Sequence, residues 1–109
     1  MINNPLPRLD TNPQIQQALL PFCRLKRGDI WEDAKTGHKV GCLDAALPED
    51  VIRLMHGQKA SLAIHDPPYN LVAFDERPLR EFISWCGQWV ANTEQVLLPD
   101  ASLYILVGR

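Results

Sequence analysis

Nothing in this chain of 109 residues stays apolar long enough to span a bilayer, which takes ~18 residues in a row. The opening Met1-Ile2-Asn3-Asn4-Pro5 lacks the charged and apolar regions of a secretory signal. Both absences predict a cytoplasmic protein with no membrane partner. Cysteine is scarce: Cys23, Cys42 and Cys86 are far apart and odd in number. There is no CxxC and no paired histidine spacing, so neither a disulfide framework nor a zinc site is expected. Free thiols in a reducing cytosol are the reading that remains.

Charge of one sign is missing as well. The chain has 11 Lys and Arg against 13 Asp and Glu, a net charge of -2. A free-standing nucleic-acid binder usually carries a basic patch. The basic cluster here is Arg24, Lys26 and Arg27 with Leu25 between, and so short a group is expected to be solvated surface. The charge therefore argues against DNA binding by this segment alone. Glycine is sparse too. Gly28, Gly37, Gly41, Gly57, Gly87 and Gly108 include no two that are adjacent or spaced by one. No internal repeat or low-complexity tract is present.

What the chain has is an ordinary globular balance, 46% hydrophobic and 22% charged, enough for one small domain with a modest core. Residues 1–23 are expected to be a lead-in, since Pro5, Pro7 and Pro13 with Asn and Asp between them favour extended or poorly ordered chain. Residues 14–20 predict a short helix ending before Pro21. Residues 24–109 form the domain proper. Gly28-Asp29-Ile30-Trp31 and His38-Lys39-Val40-Gly41-Cys42 predict a hairpin, its turn at residues 33–37 using Gly37 at positive φ. Pro48-Glu49-Asp50 opens a helix, with acids at the positive end of the dipole, Val51, Leu54 and Met55 on one face, and Gly57 as the stop.

Residues 61–65 predict a short strand that delivers Asp66. The longest helix is expected from Pro78 to about Leu97. Leu79, Phe82, Ile83, Cys86, Trp89, Val90, Thr93 and Leu97 recur there at helical spacing. Trp85 and Trp89 are expected in a core or an interface. Pro99-Asp100 predicts a turn. Ser102-Leu103-Tyr104-Ile105-Leu106-Val107 is nearly all apolar, as befits a strand buried on both faces of a parallel sheet. Strands that alternate with helices imply an α/β fold. The last strand runs into Gly108-Arg109 with nothing after it, so the expectation is the front portion of a larger domain.

The most informative stretch is Asp66-Pro67-Pro68-Tyr69, just after the apolar Leu62-Ala63-Ile64. In open α/β sheets, ligands bind at the carboxyl ends of strands, and this stretch is expected at one. Two prolines fix φ and remove two N–H donors, leaving a stiff loop biased toward acceptors. A carboxylate, the Pro67 carbonyl and the Tyr69 ring together match an exocyclic amine on a planar ring. Holding that amine by its two hydrogens draws its lone pair out of conjugation and makes it a better nucleophile. The plain alternative is an ordinary turn. His65 next to it either tunes the pocket or, as is commoner for a strand-end histidine, is structural. Asp75-Glu76-Arg77 is most simply a solvated loop or helix cap.

His38-Lys39-Val40-Gly41-Cys42-Leu43-Asp44-Ala45, Pro48-Glu49-Asp50-Val51 and His65-Asp66-Pro67-Pro68-Tyr69-Asn70 resemble the amino-directed DNA methyltransferases of the permuted β type. More narrowly, the Gly28-Asp29-Ile30-Trp31 hairpin looks like that of phage- and plasmid-associated members. The resemblance implies a partial Rossmann-like methyltransferase sheet preceded by a hairpin. It implies methyl transfer from S-adenosylmethionine to adenine N6 in double-stranded DNA, with cytosine N4 as the runner-up.

Asp66, Pro67, Pro68 and Tyr69 would be the catalytic motif, and Asp44 and Asp66 the cofactor-binding residues. The target base would be flipped out of the duplex to reach them. The family usually has Gly before the acid matched by Asp44; this chain has Leu43. Its glycine-rich Phe-x-Gly-x-Gly motif is absent and would lie beyond Arg109, as would the target-recognition region. In the family the loop after the catalytic motif, residues 70–77 here, is often mobile. The 109-residue chain alone is then expected to be inactive, or a self-associating fragment, because incomplete sheets expose pairing edges and invite a homodimer.

Overall fold

Asn12 caps the first helix: its side-chain oxygen accepts the Ile15 N–H at 3.1 Å, and Pro13 follows in the first turn, where a missing N–H costs nothing. The computed structural model describes residues 12–68 and 78–107. Residues 1–11 of the expected lead-in, residues 1–23, lie outside the described residues. Helix α1 is Pro13–Leu19. The α-helix ends before Pro21, as expected, and a single 3-10 turn, Leu20–Phe22, follows it with Pro21 in its first turn.

The hairpin forms as its sequence predicts. Strand β1, Ile30–Glu32, pairs antiparallel with β2, Lys39–Gly41, with Trp31 opposite Val40. The turn is tied by the Asp33 carboxylate, which accepts from both the N–H and the hydroxyl of Thr36. Gly37 closes it at φ 75°, and its N–H reaches the Asp33 carbonyl at 2.8 Å. Helix α2, Pro48–Met55, starts at Pro48 with Glu49 and Asp50 in its first turn. It stops at the expected Gly57, which takes φ 81°, but His56 before it, the C-cap, is also left-handed, at φ 48° and ψ 47°.

Strand β3, Ala60–His65, is joined through helix α3, Leu79–Glu94, to strand β4, Leu97–Ile105, which lies parallel to it. The expected alternation of strand and helix is therefore present, and the described fold is mixed α/β with two two-stranded sheets. Three expectations are corrected. Pro99-Asp100 is not a turn but lies inside β4. Ala60 pairs with Leu97 and Leu62 with Ser102, so the register shifts between them and Pro99, which has no N–H to give, sits in the irregular stretch. The helix also ends at Glu94, three residues before Leu97, because two turn residues are needed to swing the chain into β4.

The third correction concerns burial. Partners across a parallel ladder share a face, so Ala63, His65, Leu103 and Ile105 lie on one side and Leu62, Ile64, Ser102 and Tyr104 on the other. The His65 ring meets Trp89 of α3, so the helix covers the first side. On the second side, Leu62, Ile64 and Tyr104 remain 49%, 65% and 60% exposed. An apolar strand sequence sets what the strand is suited to bury, and among the described residues nothing lies over this face. The core sits instead along α3, where Trp89 is 4% exposed and Asn92 and Thr93 are also buried; Asp50 of α2 is buried as well. Helix α2 packs against α3.

Candidate functional site

The carboxyl end of β3 is fixed from three directions. The His65 backbone pairs with Ile105, and its carbonyl accepts the Leu106 N–H at 2.9 Å. Its ring packs 5.0 Å from Trp89, centroid to centroid. Its Nε2 lies 2.8 Å from Thr93 Oγ1. Asp66 follows this clamped residue directly and is exposed, with Pro67 and Pro68 half-buried behind it. The first three residues of the motif thus stand at a strand end. Tyr69 and residues 70–77, including Asp75-Glu76-Arg77, lie outside the described residues.

The tautomer of His65 follows from its partner. Thr93 Oγ1 is also 2.8 Å from the Trp89 carbonyl, which can only accept. The single hydroxyl hydrogen goes there, so the Thr93 oxygen must accept from His65 Nε2–H. Burial holds the imidazole below its ordinary pKa, which favours this neutral form. Of the two roles weighed for His65, the ring contacts fit the structural one: it faces α3 rather than the Asp66 loop.

Asp44 lies in the loop between β2 and α2 and is half-buried. Its Oδ1 accepts the Ala46 N–H at 2.9 Å and its carbonyl accepts the Leu47 N–H at 3.0 Å. This is a local turn rather than a helix cap; Leu47, not Asp44, stands at the N-cap of α2. Leu43, which replaces the glycine usual in the resembled family, lies against the hairpin. A Cβ on Gly41 would come within 2.6 Å of Leu43 Cδ1, so the bare Gly41 backbone is what makes room for it.

Three residues that shape the site were given no site role from the sequence. Asp50, expected only as a first-turn acid, is 8% exposed and accepts the Asp44 N–H at 2.9 Å. Arg27 at 3.3 Å and Arg53 at 3.8 Å balance its charge, and Arg53 also donates to the Gly28 carbonyl at 2.9 Å. The Arg24–Arg27 cluster is therefore not wholly free surface: Arg27 is spent on Asp50. Asn92 donates from Nδ2 to the Ala45 carbonyl at 3.0 Å. Thr93 holds His65. A polar pair at the buried end of a long apolar stripe was the available signal.

Among the described residues no three His, Cys, Asp or Glu side chains gather as a metal site requires, and Cys23, Cys42 and Cys86 are free. No described helix is long and apolar enough to cross a membrane.

Among characterised proteins, the chain is similar to the type II methyltransferase M.BglII of Bacillus subtilis, with 37% identity over 49 residues. That match covers 43% of this chain and 14% of the relative's length. No family model matches, and no solved structure matches. The similarity supports a methyltransferase relationship for the chain.

Proposed function

We propose that this chain carries the amine-holding part of an S-adenosylmethionine-dependent DNA methyltransferase, built on a partial Rossmann-like sheet of the permuted β type. The observation behind the proposal is that Asp66-Pro67-Pro68 stands at the carboxyl end of a strand paired in parallel across a helical crossover. The partial similarity to a type II methyltransferase supports it. Asp66 and the Pro67 carbonyl accept the two hydrogens of the exocyclic amine, and Pro68 keeps the loop stiff. Tyr69 stacks on the base once it is flipped from the duplex. Asp66 is then positioned to take up the proton that the amine nitrogen sheds.

S-adenosylmethionine, when bound, supplies an electrophilic methyl group to that nitrogen. Of the residues present, Asp44 and Asp66 are the ones that would hold it. Asp44 keeps acceptor capacity beyond its turn bond to Ala46, which suits a hydroxyl or an amine of the cofactor.

Adenine N6 is the proposed target because Asp, rather than Ser, opens the motif in the adenine enzymes of the resembled family. The test is mass spectrometry of nucleosides from DNA incubated with S-adenosylmethionine and the protein that carries this chain. N6-methyladenine is expected; N4-methylcytosine would move the assignment to the other base, and no methylated base would remove it. Asp66→Ala should abolish transfer while the circular dichroism spectrum stays native; retained transfer would strip Asp66 of its role. Tight cofactor binding by the isolated chain in calorimetry would show that this portion needs no further chain to hold the donor.

The bare sheet face carries a second, narrower proposal: copies of the isolated chain associate. Leu62, Ile64 and Tyr104 are exposed beside strand edges with no partner among the described residues. Sedimentation velocity over a hundredfold range of concentration checks this, and a constant monomer counts against it.

A further inference from the structure

Two loops are candidates for the two halves of the proposed reaction, one at Asp44 and one at Asp66. Each is held by a buried polar side chain of α3, and the two side chains are neighbours in sequence. Asn92, 9% exposed, donates to the Ala45 carbonyl beside Asp44 at 3.0 Å. Thr93, 7% exposed, accepts from His65, the residue before Asp66, at 2.8 Å. Successive residues on a helix diverge by about 100°. One rigid turn therefore reaches the hairpin side with Asn92 and the strand end with Thr93.

We infer that the Asn92-Thr93 pair is a coupling clamp that sets the position of the Asp44 loop relative to the Asp66 loop. Both are positioning residues; neither touches the reacting atoms. The functional side of this inference rests on the methyltransferase proposal above, while the clamp itself is a property of the fold. The Asp44 loop has a second tie, from its own N–H to Asp50, which is itself held by Arg27 and Arg53. Asp50 fixes the loop within the hairpin–α2 unit. Asn92 is the tie from α3, so it alone of the two fixes that loop relative to β3. On the other side, Thr93 spends its hydrogen on the Trp89 carbonyl, and this makes it an acceptor with a fixed direction. The His65 ring is held against Trp89 by the same turn of helix.

The clamp is tested by NMR on the 15N-labelled chain and by steady-state kinetics on the protein that carries it. In the wild type, the imidazole 15N shifts of His65 should show Nε2 protonated and Nδ1 bare; an Nδ1–H tautomer overturns the Thr93 arm without any variant. Thr93→Val should move the Asp66 amide resonance and loosen the tautomer, and Thr93→Ser, which keeps the hydroxyl, should restore both. Asn92→Ala should move the amides of Asp44, Ala45 and Ala46 while leaving His65 unchanged.

In kinetics, Thr93→Val should lower kcat roughly tenfold with little change in KM for S-adenosylmethionine, and Asn92→Ala should raise that KM by a similar factor. Amides at 44–46 and 66 that stay at their wild-type positions in both folded variants overturn the clamp. So do variants that lose only thermal stability and keep wild-type kinetics. Absence of methyl transfer by the wild type would remove the reaction, and the NMR readouts would still decide the clamp.

Discussion

His65 and Trp89 show how much of this small core depends on single side chains. Burial lowers the His65 pKa in the folded chain, so the unfolded chain takes up the proton first as pH falls. Stability is then level above about pH 6.5, the usual imidazole value, and declines below it until the folded pKa is passed. His65→Phe keeps a ring against Trp89 and removes that part of the slope, which urea unfolding at several pH values will measure.

Trp89 also carries a cost: its Nε1–H is buried with no partner among the described residues. Trp89→Ala should lose about 3–5 kcal/mol, a large share of the roughly 5–15 kcal/mol of a native domain. Trp89→Phe should lose much less, because the unpaired N–H, which costs about 1–3 kcal/mol to bury, leaves with the indole while a ring stays. Denaturant midpoints at unchanged m-value are the check. Equal losses would mean the indole N–H is satisfied.

At the scale of the element, local chemistry decides the boundaries. The β1–β2 turn depends on the Asp33 carboxylate, whose pKa is lowered first by the Thr36 hydroxyl and then by the Thr36 N–H. Thr36→Val should let that pKa rise toward the ordinary aspartate value, read by NMR titration of the Asp33 carboxyl carbon. No rise would mean the backbone N–H alone holds it. Helix α2 ends on a histidine at positive φ, where a side chain is strained and glycine is not. His56→Gly should therefore stabilise the chain by about 0.5–1 kcal/mol, visible as a higher thermal midpoint.

Such details were partly legible. Gly37 marked its turn because its neighbours left no other candidate, and Pro48 with two acids marked a helix start. Gly57 marked the end of α2 and takes φ 81°, but the left-handed His56 before it was not foreseen, since a glycine at a helix end does not say how many residues bend with it. Pro99-Asp100 was misread for a similar reason: the φ that proline imposes suits an irregular extended strand as well as a turn.

Across the whole molecule, what was legible is what neighbouring residues determine, and what was not is what distant partners determine. Asp66-Pro67-Pro68 could be placed at a strand end because the apolar run before it is local. Asn92 and Thr93 could not be assigned, because their partners lie 47 and 28 residues away and one of those is a backbone carbonyl. The same limit explains the β3–β4 sheet. The apolar content of residues 102–107 is suited to cover on two sides, but cover comes from elsewhere in space, and α3 supplies one side.

That imbalance has a measurable consequence. Ile64 and Tyr104 are paired across the ladder and are 65% and 60% exposed, so replacing them removes little buried area in the isolated chain. Ile64→Thr keeps a β-branched side chain on the strand and should shift stability within about 0.5 kcal/mol, the range for surface positions. The same change should weaken self-association, because apolar area is lost only where two copies meet. Thermal melts and sedimentation on one preparation separate the two effects. A large loss of thermal midpoint with association unchanged would mean that this face is already covered within the folded chain.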